Sequence, residues 1–167
     1  DAMYNLANVL KDQGRLDEAI QAYREIISID PYFVEAYLNL GNTLMNNDKC
    51  ARAVEAYKKA LSIEPNFAEA HTNLGNAFQY QGKLEEAIGS HNKAIELEPK
   101  LAEAHTNLGN ALKDQGKLEE AIASHNKAIK LKPNFAGAHA NLGVILRDLG
   151  KLEEAEISIR KAIELNP

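Results

Sequence analysis

Apolar residues in this chain recur at spacings of three and four, the pattern of a helix with one buried stripe. In the stretch AEAHTNLGNAFQY, residues 68–80, Ala70, Leu74, Ala77 and Phe78 share one side of such a helix. Glu69, Asn73 and Asn76 share another. The first ten letters of that stretch return unchanged at 102–111. Five prolines, Pro31, Pro65, Pro99, Pro133 and Pro167, stand 34 residues apart, so the whole chain is a stacked array with that period.

Aligned on the prolines, further columns appear. A leucine recurs at Leu6, Leu40, Leu74, Leu108 and Leu142, followed by a small residue at Ala7, Gly41, Gly75, Gly109 and Gly143. Alanine holds a later column at Ala19, Ala53, Ala87, Ala121 and Ala155. Between them lies a turn glycine, Gly14, Gly82, Gly116 or Gly150, with Asp48 in its place in the second repeat. Glycine past a helix end supplies the left-handed conformation that stops it. GKLEEA then starts a second helix, with Glu85 and Glu86 where the helix dipole favours negative charge. Proline cannot continue that helix and turns the chain into the next repeat. The spacing predicts ten helices, paired at 1–13 and 16–28, 34–46 and 50–62, 68–80 and 84–96, 102–114 and 118–130, 136–148 and 152–164. Small residues such as Gly75 and Ala87 let paired helices approach closely.

These columns resemble the tetratricopeptide repeats: Leu–Gly, Ala, a second Ala (Ala60, Ala94, Ala128, Ala162) and Pro at family spacing, over the whole chain. The first repeat departs, with Ala7 for Gly and Ile26 for the second Ala. Periodicity alone gives an all-α, two-helix solenoid. The resemblance implies more: a right-handed superhelix of five helix-turn-helix repeats, first helices lining a concave groove. One array is expected over 1–167, with repeats near 1–33, 34–67, 68–101, 102–135 and 136–167. Such arrays bind protein segments and are not themselves catalysts.

Asparagine is a poor interior helix residue because its amide competes for backbone hydrogen bonds. Here it fills two columns: Asn5, Asn39, Asn73, Asn107, Asn141, and Asn8, Asn42, Asn76, Asn110, with Val144 ending the second. The two columns share a helix face and would stack into a polar ladder. The resemblance places that face in the groove, as in the Asn-lined repeats of O-linked N-acetylglucosamine transferases. A primary amide offers two donors and an acceptor, enough to hold a peptide backbone without reading its side chains. All nine asparagines are therefore candidate peptide-binding residues. The alternative is that they cross-link neighbouring helices and set the array's geometry.

Charge narrows the ligand. Asp1, Glu35, Glu69 and Glu103 at the groove entrance would repel a terminal carboxylate, which disfavours the subtype that clamps chaperone tails. Lys11, Lys113 and Arg147 lie deeper. The histidines His71, His91, His105, His125 and His139 follow the repeat, at intervals alternating 20 and 14, and not a metal-ligand spacing. His71, His105 and His139 share a column with Met3 and Tyr37; His91 and His125 share one with Tyr23 and Tyr57. In the family both columns pack between paired helices, so partly buried core rings are expected. Cys50 occupies the column of Leu16, Leu84, Leu118 and Leu152 and reads as a small buried apolar residue.

Composition excludes other classes. The chain has 167 residues, 45% hydrophobic and 26% charged, with a formal charge of −5. That balance disfavours nucleic acid or an anionic membrane as the main partner. No apolar run approaches the roughly 20 residues that span a bilayer. One cysteine allows no internal disulfide and fits a reducing, cytoplasmic setting. No phosphate loop, nucleophile–base pair or metal-ligand pattern is present, so neither enzyme activity nor a cofactor is expected. The reading is a module that binds an extended polypeptide or peptide ligand. The alternative is a self-stacking structural scaffold, since Ala2, Leu6 and Val9 at one end and Ile159, Ile163 and Leu165 at the other offer apolar faces for head-to-tail self-association. Without a polar capping helix at either end, the chain reads as a piece of a longer protein.

Overall fold

The computed structural model describes residues 2–166. They form ten α-helices and, among the described residues, no strand: α1 (Ala2–Asp12), α2 (Leu16–Ile29), α3 (Val34–Asn46), α4 (Cys50–Ile63), α5 (Ala68–Tyr80), α6 (Leu84–Leu97), α7 (Ala102–Asp114), α8 (Leu118–Leu131), α9 (Ala136–Asp148) and α10 (Leu152–Leu165). From the second repeat on, the first helix of each pair starts and stops where the spacing predicts. Every second helix runs one residue further than predicted. Its end is set by the proline two residues on, because the residue before a proline is pushed out of the helical region. Asp30, before Pro31, is extended at φ −127° and ψ 94°, and its N–H still closes on Ile26 O at 2.8 Å.

The chain divides into two compact units, Asp1–Gly82 and Lys83–Pro167. In the first, α1 packs on α2, α2 on α3, α3 on α4 and α4 on α5. In the second, α6 to α10 pack in the same consecutive way. Each core is thus built from chain neighbours, as in a solenoid of repeats. The alanine columns sit at its tightest points: Ala19, Ala53, Ala87 and Ala121 have no exposed surface, and neither do Ala60, Ala94 and Ala128. In the second unit Leu112, Ala121 and Ile145 form one cluster, flanked by Ile88, Leu108, Leu118, Ile122 and Leu149.

Close approach explains the glycine after the recurring leucine. A Cβ at Gly41 would fall against the Tyr57 ring, and one at Gly109 would lie 2.7 Å from His125 Nε2. No side chain fits there. The first-helix C-termini explain the other glycine column. Gly14, Gly82, Gly116 and Gly150 all have positive φ. After Gly14, Gly116 and Gly150 the next N–H closes the turn on a buried leucine carbonyl, as in Lys117 N to Leu112 O at 2.9 Å. Asp48 performs the same turn at φ 53°, with Lys49 N on Leu44 O at 2.8 Å, at the steric cost of a Cβ in the left-handed region.

That cost is testable. Asp48→Gly should raise stability by about 1 kcal/mol by removing the strain, less what glycine returns to the unfolded chain. A urea unfolding midpoint equal to or below that of the wild type would contradict it.

Candidate functional site

The two asparagine columns are brought together, and in a specific order. In the first unit Asn73 on α5 donates through Nδ2 to Asn42 Oδ1 on α3 at 3.0 Å. In the second unit Asn141 on α9 donates to Asn110 Oδ1 on α7 at 2.8 Å. In both bonds a first-column amide reaches back to the second-column oxygen of the preceding repeat. Asn39 departs from this pattern, donating instead to Tyr4 Oη at 2.6 Å. Asn5 and Asn76 are exposed, and Asn8 and Asn107 are half-buried.

A second partner, which the spacing did not reveal, fixes the other column. The Tyr57 hydroxyl donates to Asn42 Oδ1 at 2.8 Å, and the Tyr23 hydroxyl to Asn8 Oδ1 at 2.6 Å. Asn42 Oδ1 therefore accepts from two directions, across its own helix pair and from the next repeat. Both phenols are buried, which pushes Tyr23 up to about 12 and Tyr57 higher still, so both stay protonated donors. The signal was present in the sequence as tyrosine fifteen residues after asparagine in the first two repeats. These bonds leave donors and acceptors over: Asn73 keeps Oδ1 and one N–H, and Asn42 keeps its whole NH2.

The histidines separate into two kinds. His105 is buried and His71 and His139 are half-buried, in keeping with partly buried rings. Each places Nε2 on the carbonyl of the proline six residues earlier, Pro65, Pro99 and Pro133, at 2.9, 3.1 and 2.9 Å. They clasp the turn between repeats, with Nε2 carrying the proton because a carbonyl can only accept. His91 and His125 are fully buried, as expected of core rings, and neither ring nitrogen of either has a hydrogen-bond partner among the described residues. Burial pushes both down to about 4, and Lys113 adds to the effect at His125. Both are neutral at pH 7.

The remaining candidates are simpler. Cys50 is buried with Sγ 3.3 Å from Ala77 O, so it packs as the sequence suggests. Lys11 and Arg147 each lie beside the aspartate that follows, and so does Lys113. Glu103 pairs with Lys132 at 3.4 Å, while Asp1 lies outside the described residues. Among the described residues no group of three or more His, Cys, Asp or Glu converges on a metal position. No described helix is long and apolar enough to cross a membrane.

Paired helices closing on glycine, with a polar ladder along the first helices, define an all-α repeat protein of the interaction-scaffold class. Family models described as TPR repeat match residues 2–48, 49–82, 76–116 and 109–146, and one described as tetratricopeptide repeat matches 136–167. The chain belongs to the tetratricopeptide repeat family. Among solved structures it is similar to MamA, at 31% identity over 95% of this chain and 93% of that one, with a TM-score of 0.85. It is also similar to YrrB, described as a TPR protein with an unusual peptide-binding site, at 25% identity over 99% and 85% of the two chains and a TM-score of 0.77. PilF of Pseudomonas aeruginosa shares the fold at 22% identity and a TM-score of 0.90, over 100% of this chain and 76% of that one. No curated protein sequence matches.

The wiring of the ladder sets an expectation for stability. Asn42→Ala strands the buried Tyr57 hydroxyl and frees the Asn73 amide, and should cost about 2 kcal/mol of stability. Asn76→Ala, at an exposed position, should stay within about 0.5 kcal/mol. Equal effects of the two in urea unfolding would show that the Tyr57–Asn42–Asn73 chain contributes nothing. A second expectation concerns acid. His91 and His125 have a folded-state value below the unfolded 6.5, so the unfolded chain binds more protons as pH falls. Stability is then constant above about pH 6.5 and falls below it, by about 2 kcal/mol per ring at about pH 5. Replacing both with tyrosine should flatten that fall. The hydroxyl introduced by His125→Tyr would match that of Tyr57 and face Asn110. A melting profile with the same acid slope in wild type and double variant would refute this.

Proposed function

We propose that the asparagine ladder binds an extended polypeptide through its backbone, making this array a peptide-binding interaction module. The observation that supports it is the ladder's leftover capacity. Each amide bound within the array uses part of its valence, and the half-buried Asn39, Asn73, Asn107 and Asn141 retain an acceptor and a donor with the spacing of the repeat. Bonds between rungs hold the amides in fixed orientations, so less side-chain entropy is lost when a ligand arrives. The cross-linking and gripping roles are therefore the same network seen from two sides. The similarity to YrrB, described as carrying a peptide-binding site, agrees with this reading.

The whole of 1–167 acts in this reading as one continuous array in a cytoplasmic setting. Each rung contributes about 1 kcal/mol net, so affinity is on the order of micromolar and tolerant of ligand sequence. Asn73→Ala with Asn107→Ala should weaken unrelated unstructured peptides by similar factors, about tenfold, measured by fluorescence anisotropy. Stability should change little, since Tyr57 keeps Asn42 as acceptor and alanine is the better helix former. Unchanged peptide affinity with a lowered melting temperature would make the ladder purely structural.

A second reading rests on the end faces. Leu6 and Val9 on α1 are 54% and 50% exposed, and Ile163 on α10 is 59% exposed. A recess of about 380 Å³ lies beside Ile163, lined by Ala140, Val144, Ile159 and Ala162. These faces suit head-to-tail stacking of copies into a scaffold. Sedimentation velocity that gives one species at every concentration would exclude it.

A further inference from the structure

Away from the ladder, the first unit carries a second recess with a different chemistry. It has a volume of about 730 Å³ and lies between α2 and α4, with α3 as its floor. Tyr37, Leu40 and Leu44 from α3 form the apolar floor, and Arg24, Arg52, Lys58 and Lys59 stand along the walls. On α3 the residues at 37, 40 and 44 point one way, and Asn39 and Asn42 the other, so this recess and the ladder occupy opposite faces. All four cations are exposed. Among the described residues none of them has a carboxylate within ion-pair distance, although Glu55 lines the same recess. Lys58 Nζ lies 5.5 Å from the centre of the Phe78 ring, held in place without being neutralised.

The second unit supplies an internal control. The recess at the same register, between α8 and α10 over α9, is about 440 Å³. At the matching positions Arg24 is replaced by Asn126, Glu55 by Ile157 and Ser62 by Glu164 in the recess lining, and Arg52 by Glu154 outside it. The cations that remain are paired, Arg160 with Glu156 at 2.7 Å and Lys161 with Glu164 at 3.0 Å. One fold position thus carries unneutralised charge in one unit and internal salt bridges in the other.

Arg52 also stands where local energetics oppose it. The column reads Glu18, Glu86, Glu120 and Glu154 in the other repeats, and those second helices each open with two acids. Helix α4 alone among them has no acid in its first turn, and it places a cation at the positive end of the helix dipole. Breaks in the local rules of this kind are expected at functional or strained sites, and no carboxylate among the described residues offsets this one.

We propose that this recess is a docking site for an acidic peptide segment that carries apolar side chains. Carboxylates of the segment answer Arg24, Arg52, Lys58 and Lys59, and an apolar side chain rests on Tyr37, Leu40 and Leu44. A nucleic-acid backbone has phosphates but no apolar group for that floor, and the chain's net charge of −5 opposes so dense a polyanion. An anionic membrane is a surface and does not enter a recess lying between two helices. The array then has two binding faces, one reading backbone and the other charge.

The test uses the whole chain and a fluorescein-labelled peptide of repeated Glu-Glu-Leu triplets, followed by fluorescence anisotropy. Saturable binding is expected, weakened on the order of tenfold by Arg52→Glu and again by Lys59→Glu. Because Arg52→Glu restores the residue found in the other repeats, its melting temperature should not fall. Lys161→Glu in the second unit should leave affinity unchanged. A Glu-Glu-Ser peptide should bind more weakly than the leucine form. No binding of the leucine peptide overturns the proposal, and so does equal binding by Arg52→Glu. Loss through Asn73→Ala in place of Arg52→Glu would assign the peptide to the ladder. Equal affinity for a DNA duplex or for phosphatidylserine vesicles, lost with the same variants, would overturn the assignment to peptides.

Discussion

In the repeats that carry Gly41, Gly109 and Gly143, the second helix meets the first across a missing side chain, and much of the chemistry follows from that approach. A Cβ at Gly41 would strike the Tyr57 ring, one at Gly109 the His125 ring, and one at Gly143 the Ile159 side chain. Alanines with no exposed surface hold the same helices together elsewhere. Because the ring lies against glycine, its far end emerges at the first helix's polar edge. Tyrosine is long enough for its hydroxyl to reach Asn42, and that oxygen also receives the Asn73 amide of the next repeat. Packing within a pair and bonding between pairs are therefore linked through one oxygen atom.

Histidine at the same position keeps the packing and gives up the bond. His91 and His125 fill their sites without exposed surface, yet their nitrogens find no partner among the described residues. An imidazole lacks the reach of a phenol. A neutral buried ring tolerates this at moderate cost, whereas a charged one does not. The substitution converts a structural tie into a latent sensitivity to acid. Asn110 loses that partner but still receives Asn141, so the ladder continues through the repeat where the tie is missing.

Period and fold were readable because each repeat solves one steric problem with the same letters. Proline, two glycines and two alanines in most repeats place ten helices to within a residue or so. The final residue of each second helix was missed, since a proline acts on its immediate neighbour and leaves earlier positions free to stay helical. The asparagine face was also readable from spacing. Its wiring was not, because helical periodicity shows which side chains share a face but not which atom reaches across to another helix. His71, His105 and His139 show the same limit. Their column indicated partly buried rings, but not that the ring nitrogen would be satisfied by a proline carbonyl six residues back. That bond depends on the shape of the turn, which a side-chain pattern does not encode.

Departures from the period carry the information that the period itself suppresses. A consensus of these repeats would place an acid at position 52 and glycine at position 48, and it would be the more conventional sequence at both. The chain instead has Asp48 in a left-handed turn and Arg52 at a helix start, four residues apart and both opening α4. Asp17, from the preceding second helix, gathers Lys49 and the Asn47 amide, at 2.8 and 3.0 Å. The turn into α4 is thus held by side chains where other turns rely on glycine. Two repeats can share a backbone to within a residue and still differ in what they present to solvent. In a solenoid the core has to repeat, because each helix packs on its neighbours in the chain, whereas the outer surface does not. Positions where the repeats disagree can therefore vary without disturbing the core, and α4 opens without the acids that begin the other second helices.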